Sequence, residues 1–249
     1  MTIMKRLLSL VLILTLFLPS VFSTAEEEDP LAMFAVRNGR RSDHRVAITV
    51  DDAFDLAFVW KIRDLFQELG VVGTFFPIGR MLLEEDRENW QQLLDNGNEI
   101  GSHNIGHYKM GDSNPWDIIS ALGRFQQQLD LVLGYHYQVH CFRPPYGHMT
   151  DANGNTSKFR GAVQAFGYEH VILWEISQTD PKKAIHQVQN GSILLYHSRL
   201  KDYKCLQELI PQLLEQGYEL VTVSELLGFG PNETAEDLYV YNREDYEKK

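Results

Sequence analysis

From residue 46 onward the chain alternates short apolar runs with longer stretches of helical period. Runs at 46–50, 72–76, 98–102, 139–142, 169–174, 192–196 and 219–222 predict strands. Between most of them the apolar positions fall three and four apart. In 56–69, Phe58, Ile62, Leu65, Phe66 and Leu69 share one helix face, and Gly70 supplies a stop. Asn114-Pro115-Trp116-Asp117 has an N-cap, a proline at the first helical position and an acid in the first turn. The helix it opens runs through Ile119, Leu122, Phe125, Leu129 and Val132 to Gly134. Short apolar strands alternating with helices predict a parallel sheet, and seven such units favour an α/β barrel over an open sheet.

The segments outside this pattern have a different character. Lys5 and Arg6 precede an apolar run from Leu7 to Leu18, followed by Pro19 and the small residues Ser23-Thr24-Ala25. That order predicts a secretory signal peptide over 1–25, because the run is shorter than the roughly 20 apolar residues that span a bilayer, with an uncleaved anchor as the competing reading. Residues 26–45 are charged and irregular and are expected to be a linker. The catalytic domain is expected over 46–228, followed by a polar, acidic tail over 229–249. A chain of 249 residues suits one large domain of the barrel type. Its formal charge is −11, and loss of the leader, with Lys5 and Arg6, makes it two units more negative. Such a balance argues against nucleic acid and polyanionic surfaces as partners, and leaves a neutral or cationic polymer or a small molecule. The two cysteines, Cys141 and Cys205, either pair outside the cytosol or stand as buried thiols. Asn155, Asn190 and Asn232 open N-x-Ser/Thr sequons.

Parallel barrels carry their chemistry at the C-terminal ends of the strands. At those ends the chain places Asp51-Asp52, then His103 and His107, then Arg143-Pro144-Pro145-Tyr146-Gly147, then Ser177 and Asp180, and finally His197. Each is weak alone. A histidine pair at i and i+4 is more often a surface or hydrogen-bonded pair, and two adjacent acids are usually a solvated turn. Together they suggest a His-His-Asp set with open positions for water or substrate, the ligand type of catalytic zinc and related divalent ions. A cation also explains the two adjacent acids: one binds the ion, and the other stays free to take a proton from water. Arg143 would pair with the free carboxylate. The two prolines would stiffen the turn that offers the Tyr146 N–H to an oxyanion. His197 would protonate the leaving group.

"TVDDAF", "GVVGTFFPIG", "GNEIGSHNIGH", "FRPPYG" and "ILLYH", taken together and spanning roughly Val46 to Leu227, resemble the motifs of the polysaccharide deacetylases, carbohydrate esterases of family 4 that remove N- or O-acetyl groups from glycans. The resemblance implies a distorted (β/α)7 barrel like an incomplete TIM barrel. It implies that Asp52, His103 and His107 hold the metal, typically Zn²⁺, with Co²⁺, Ni²⁺ or Mn²⁺ accepted by the same ligands. Asp51 would be the general base, tethered by Arg143, and His197 the general acid. The Tyr146 amide would meet the oxyanion, and Leu195, Pro145 and Trp174 would line the substrate site; core packing is the competing role for Leu195 and Trp174.

Three motifs depart from the family pattern. Ala53 stands where Asp-Asp-Gly usually ends, which predicts a reshaped turn. Asn104 replaces a Ser or Thr. Ser177, Asp180 and Pro181 occupy a segment that usually carries an Asp followed by Asp-Trp, so that either the support of the acid histidine is weakened or Asp180 supplies it. The expected protein is thus a secreted or cell-envelope metal-dependent deacetylase, a monomer acting on an acetylated glycan. Two alternatives remain open: a hydrolase of small amides or cyclic imides, and a glycan-binding protein without activity.

Overall fold

The computed structural model describes residues 29–230, together with the backbone of Thr234 and Ala235. The expected leader lies outside the described residues. Strands are β1 (Ala35–Val36), β2 (Arg45–Asp52), β3 (Thr74–Pro77), β4 (Glu99–Ile100), β5 (His136–Tyr137), β6 (Val171–Ile172), β7 (Ile193–His197), β8 (Glu219–Leu220) and β9 (Thr234–Ala235). Helices are α1 (Leu56–Leu69), α2 (Arg87–Asp95), α3 (Pro115–Leu133), α4 (Ser157–Phe166), α5 (Pro181–Gln187), α6 (Leu200–Glu215) and α7 (Val223–Leu227).

The central strand is β2. Seven of its eight residues are buried, which is why it reads as an unbroken apolar run up to its two acids. It pairs in parallel with β3 through Thr49–Asp52 and with β7 through Ala47–Asp51, while β8 joins its N-terminal end at Arg45–Val46. From β3 the ring continues in parallel to β4. A parallel bridge between Ser102 and Phe142 carries it to the segment 141–143, and the Ile172 N–H donates to the Phe142 carbonyl to bring in β6. Ile176 then bridges to Leu194 of β7, which closes the circuit on β2. Seven strand positions (β2, β3, β4, 141–143, β6, β7, β8) are each followed by a helix, α1 to α7 in turn. The fold is therefore a distorted (β/α)7 barrel, short in most of its strands.

Helix boundaries follow from their caps. Asp55 accepts the Ala57 N–H at the start of α1, and Gly70 ends it in the left-handed region at φ 66°. Asn114 accepts the Asp117 N–H at 2.9 Å, and Gly134 closes α3 at φ 82°. Thr222 and Glu225 form a reciprocal capping box on α7. A large core packs α1, α3 and α6 against the strands, with Trp90, Phe66 and Phe125 fully buried.

The segment expected as a linker is in part structural. Val36 is buried and β1 pairs in parallel with β6, so residues 35–36 extend the barrel wall. The expected strand at 139–142 is drawn in by single bridges and hydrogen bonds rather than by a ladder. In the tail, β9 pairs antiparallel with β5. Cys141 and Cys205 are both free and buried, so the thiol reading of the cysteines holds. Among the described residues no helix is long and apolar enough to cross a membrane.

Candidate active site

β2 delivers Asp51 and Asp52 at the mouth of the barrel, and the register with β7 sets His197 directly beside Asp51. Because alternate residues of a strand face opposite sides, adjacent acids would normally diverge. Here Asp52 and Ala53 turn into the left-handed region, at φ 77° and 63°. Alanine at 53 thus adopts the left-handed conformation that the expectation of a reshaped turn held it would not readily take.

Asp51 is held by Arg143. The fully buried guanidinium donates to Asp51 Oδ1 at 2.6 Å and to Thr49 Oγ1 at 2.7 Å through Nη1. Its Nε donates to the Ile172 carbonyl at 3.1 Å and its Nη2 to the Leu173 carbonyl at 2.9 Å. Four acceptors on two segments fix one planar fork, a job a lysine ammonium could not do.

Asp52, His103 and His107 converge. Nε2 of His107 lies 3.3 Å and Nε2 of His103 3.5 Å from Asp52 Oδ1. That oxygen is buried and has no hydrogen-bond donor among the described residues. The His103 Nδ1–H donates to the Arg143 carbonyl at 2.8 Å, which leaves Nε2 as a lone-pair donor pointing at the aspartate. Asn104, the second departure, sits in the left-handed region at φ 65°, where asparagine is favoured, and its amide donates to the Gly106 carbonyl at 2.9 Å. This folds the loop back so that His107 faces His103.

The donor set fits a divalent ion. One ligand atom from each of Asp52, His103 and His107 lies within 4.8 Å of the others. Tetrahedral bonds of about 2.0–2.1 Å to zinc place ligand atoms roughly 3.3–3.4 Å apart, close to the two contacts of Asp52 Oδ1. Burial pushes the Asp52 carboxyl up, but the imidazoles of His103, His197 and His107 more than offset this and hold it below the ordinary aspartate range. Burial lowers His107, against the opposing pull of Asp52, and so favours the neutral ring that a metal requires.

Pro145 is buried, and Tyr146, 60% exposed, follows it at φ 62°. Phe54, 57% exposed, meets the His107 ring edge-on at 5.7 Å, and Tyr146 lies 4.3 Å from the same ring. Tyr108 is 40% exposed on the same loop. Leu195 is buried on β7. Trp174 is half-buried; it packs beside Gly147 and lies 5.8 Å from the Arg143 guanidinium.

Asp180 is engaged elsewhere. With Pro181 at the first position of α5, it is the N-cap, and it accepts the Lys182 and Lys183 N–H groups. The expectation that Asp180 supports His197 is therefore corrected. The acid beside His197 is Asp202, which accepts the His197 N–H at 3.2 Å. Arg199 was also missed; its Nη2 lies 3.5 Å from Asp52 Oδ2. Both follow His197 by only a few residues. The visible signal was a basic and an acidic residue flanking the strand-to-helix turn "HSRLKD".

Comparison with known proteins gives the same family. The polysaccharide deacetylase pattern matches residues 38–171. A peptidoglycan-N-acetylglucosamine deacetylase of Bacillus cereus is 30% identical over 204 residues, covering 74% of this chain and 88% of the relative. The peptidoglycan-N-acetylmuramic acid deacetylase PdaC of Bacillus subtilis is 26% identical over 191 residues, but the chain spans only 38% of its length. Among solved structures, the Bc1960 peptidoglycan N-acetylglucosamine deacetylase superposes with a TM-score of 0.68 at 22% identity, covering 80% of this chain and 94% of that one. A CE4 family pseudoenzyme from Bacillus anthracis gives 0.67 at 21%, covering 78% and 69%. The motif residues gathered at one barrel mouth and the match across more than half of the chain lead to one conclusion: this protein belongs to the polysaccharide deacetylase family, the carbohydrate esterases of family 4.

Proposed function

We propose that this protein is a secreted or cell-envelope hydrolase that removes acetyl groups from a glycan, with an N-acetylated cell-wall polymer as the substrate class. The observation that carries the reading is Asp52 Oδ1, buried, without a hydrogen-bond donor, and faced by the Nε2 atoms of two histidines. Asp52, His103 and His107 would hold a divalent ion, zinc by donor type. When bound, such an ion supplies Lewis acidity, polarising the acetyl carbonyl and easing deprotonation of the attacking water.

The remaining work falls to the chain. Asp51, with Oδ1 occupied by Arg143, uses Oδ2 to take the proton from water as it attacks the carbonyl carbon. The Tyr146 N–H donates to the oxyanion that develops. His197 gives a proton to the leaving nitrogen or oxygen as its bond to the acyl carbon breaks, so acetate and a neutral amine or alcohol depart. Leu195, Pro145 and Trp174 enclose the acetyl methyl. The wall-glycan substrate class is supported by the Bacillus cereus relative and by the exposed rim of Phe54, Tyr108 and Tyr146, since sugars stack on exposed aromatic faces and small cyclic imides need a closed pocket.

The mature chain, loaded with zinc, is expected to release acetate from an N-acetylated glycan and to lose that activity on chelation. Asp51→Asn should lower kcat by roughly 10²–10⁴-fold while one zinc per chain is retained. Full activity in this variant would overturn the base assignment. A loaded wild type that binds the glycan without releasing acetate would identify an inactive binding protein instead.

A further inference from the structure

His197 stands between two acids. On the side of the barrel mouth, its Nε2 lies 3.9 Å from Asp52 Oδ2. On the other side stands Asp202, the third residue of α6 and 1% exposed. Asp202 Oδ1 accepts the His197 N–H at 3.2 Å and lies 3.9 Å from His197 Nδ1. Its Oδ2 is buried with no hydrogen-bond partner among the described residues. A buried carboxylate with one unsatisfied oxygen costs stability, and one backbone donor does not offset that. Ser177, aligned with the segment where related sequences carry an acid, is exposed and brings no carboxylate, and Asp180 caps α5.

We propose that Asp202 is the positioning residue of His197, holding Nδ1–H toward itself so that the Nε2 edge faces the leaving group. The proposal rests on the hydrolase reading above. α6 thus takes over a support that the segment between β6 and α5 does not provide here. Asp202 touches no substrate; it acts through the tautomer and direction of the ring.

The test uses two substrates that differ in what they need from an acid. An N-acetylated chitooligosaccharide has an amine leaving group, which must be protonated to depart. In 4-nitrophenyl acetate the leaving phenolate departs as a stable anion. In the zinc-loaded full chain, Asp202→Asn should lower kcat on the oligosaccharide by roughly 10- to 100-fold with little change in KM, while the ester rate falls by less than about 3-fold. His197→Gln should show the same selectivity, and the double variant should fall no further than His197→Gln alone. Zinc content and ester turnover report whether each variant is folded, and Asp202→Ser, smaller and still polar, repeats the comparison. Equal losses on both substrates, no loss on either, or additive losses in the double variant overturn this inference alone. A wild type inert on both substrates overturns the hydrolase reading and this inference with it.

Discussion

Ala53 carries backbone strain that glycine would not. Its φ of 63° costs an L-residue about 1–2 kcal/mol, yet its Cβ is buried and contributes packing in return. Ala53→Gly should therefore change stability by less than about 1 kcal/mol, whereas Ala53→Val, β-branched at positive φ, should cost more than about 2 kcal/mol; urea unfolding of the two variants measures both. Arg143→Lys should be severe, because it strands the buried Asp51 carboxylate and two backbone carbonyls: about 3 kcal/mol of stability, with loss of activity. Acid acts through His107 and Asp52. The folded His107 is held below its ordinary 6.5, so under mild acid the unfolded chain binds the proton the folded one refuses, and stability falls as pH drops below 6.5. Asp52, lowered from 3.8, adds a second loss below that value. The melting temperature of the metal-free protein should decline between pH 7 and pH 5, and His107→Gln should flatten that decline. The clustering of Asp51, Asp52, His103 and His107 was legible because the paired acids and the His-x-x-x-His pair both fall where strands are expected to end. Asp202 and Arg199 were not, because their reach back to the site depends on how α6 leaves β7, which no periodicity encodes.

The helices explain themselves locally, and the strands do not. Residues 56–69 and 115–133 were readable to the residue because caps and apolar spacing are properties of the segment alone. Asn114→Ala should remove about 1 kcal/mol of stability by freeing the Asp117 N–H, leaving acetate release unchanged, as denaturation and rate measurements on one preparation would check. By contrast, β1 escaped notice because two residues in a charged stretch become a strand only by meeting β6, far along the chain. The segment 139–142 is apolar enough to be a strand, but its hydrogen bonds are shared with Ser102 on one side and Ile172 on the other, so the ladder never lengthens.

At the scale of the whole molecule the ring of parallel pairings makes the site a collective property. Asp51 and Asp52 come from β2, the histidines from the loop after β4, Arg143 from the segment before α4, and His197 from β7. An ion bound jointly by β2 and the β4 loop should stabilise the barrel as a unit: zinc at 100 times its dissociation constant adds about 2.7 kcal/mol, and the melting temperature should fall by the matching amount on chelation. β1 starts level with the first residue of β6, and Phe229 stacks on His170 just before that strand. Ala35 and Phe229 therefore both lie at the N-terminal end of β6, on the underside of the barrel, away from the mouth. A solid support coupled to that underside would leave the opening facing outward, and the immobilised protein should process an insoluble polymer as fast as the free one.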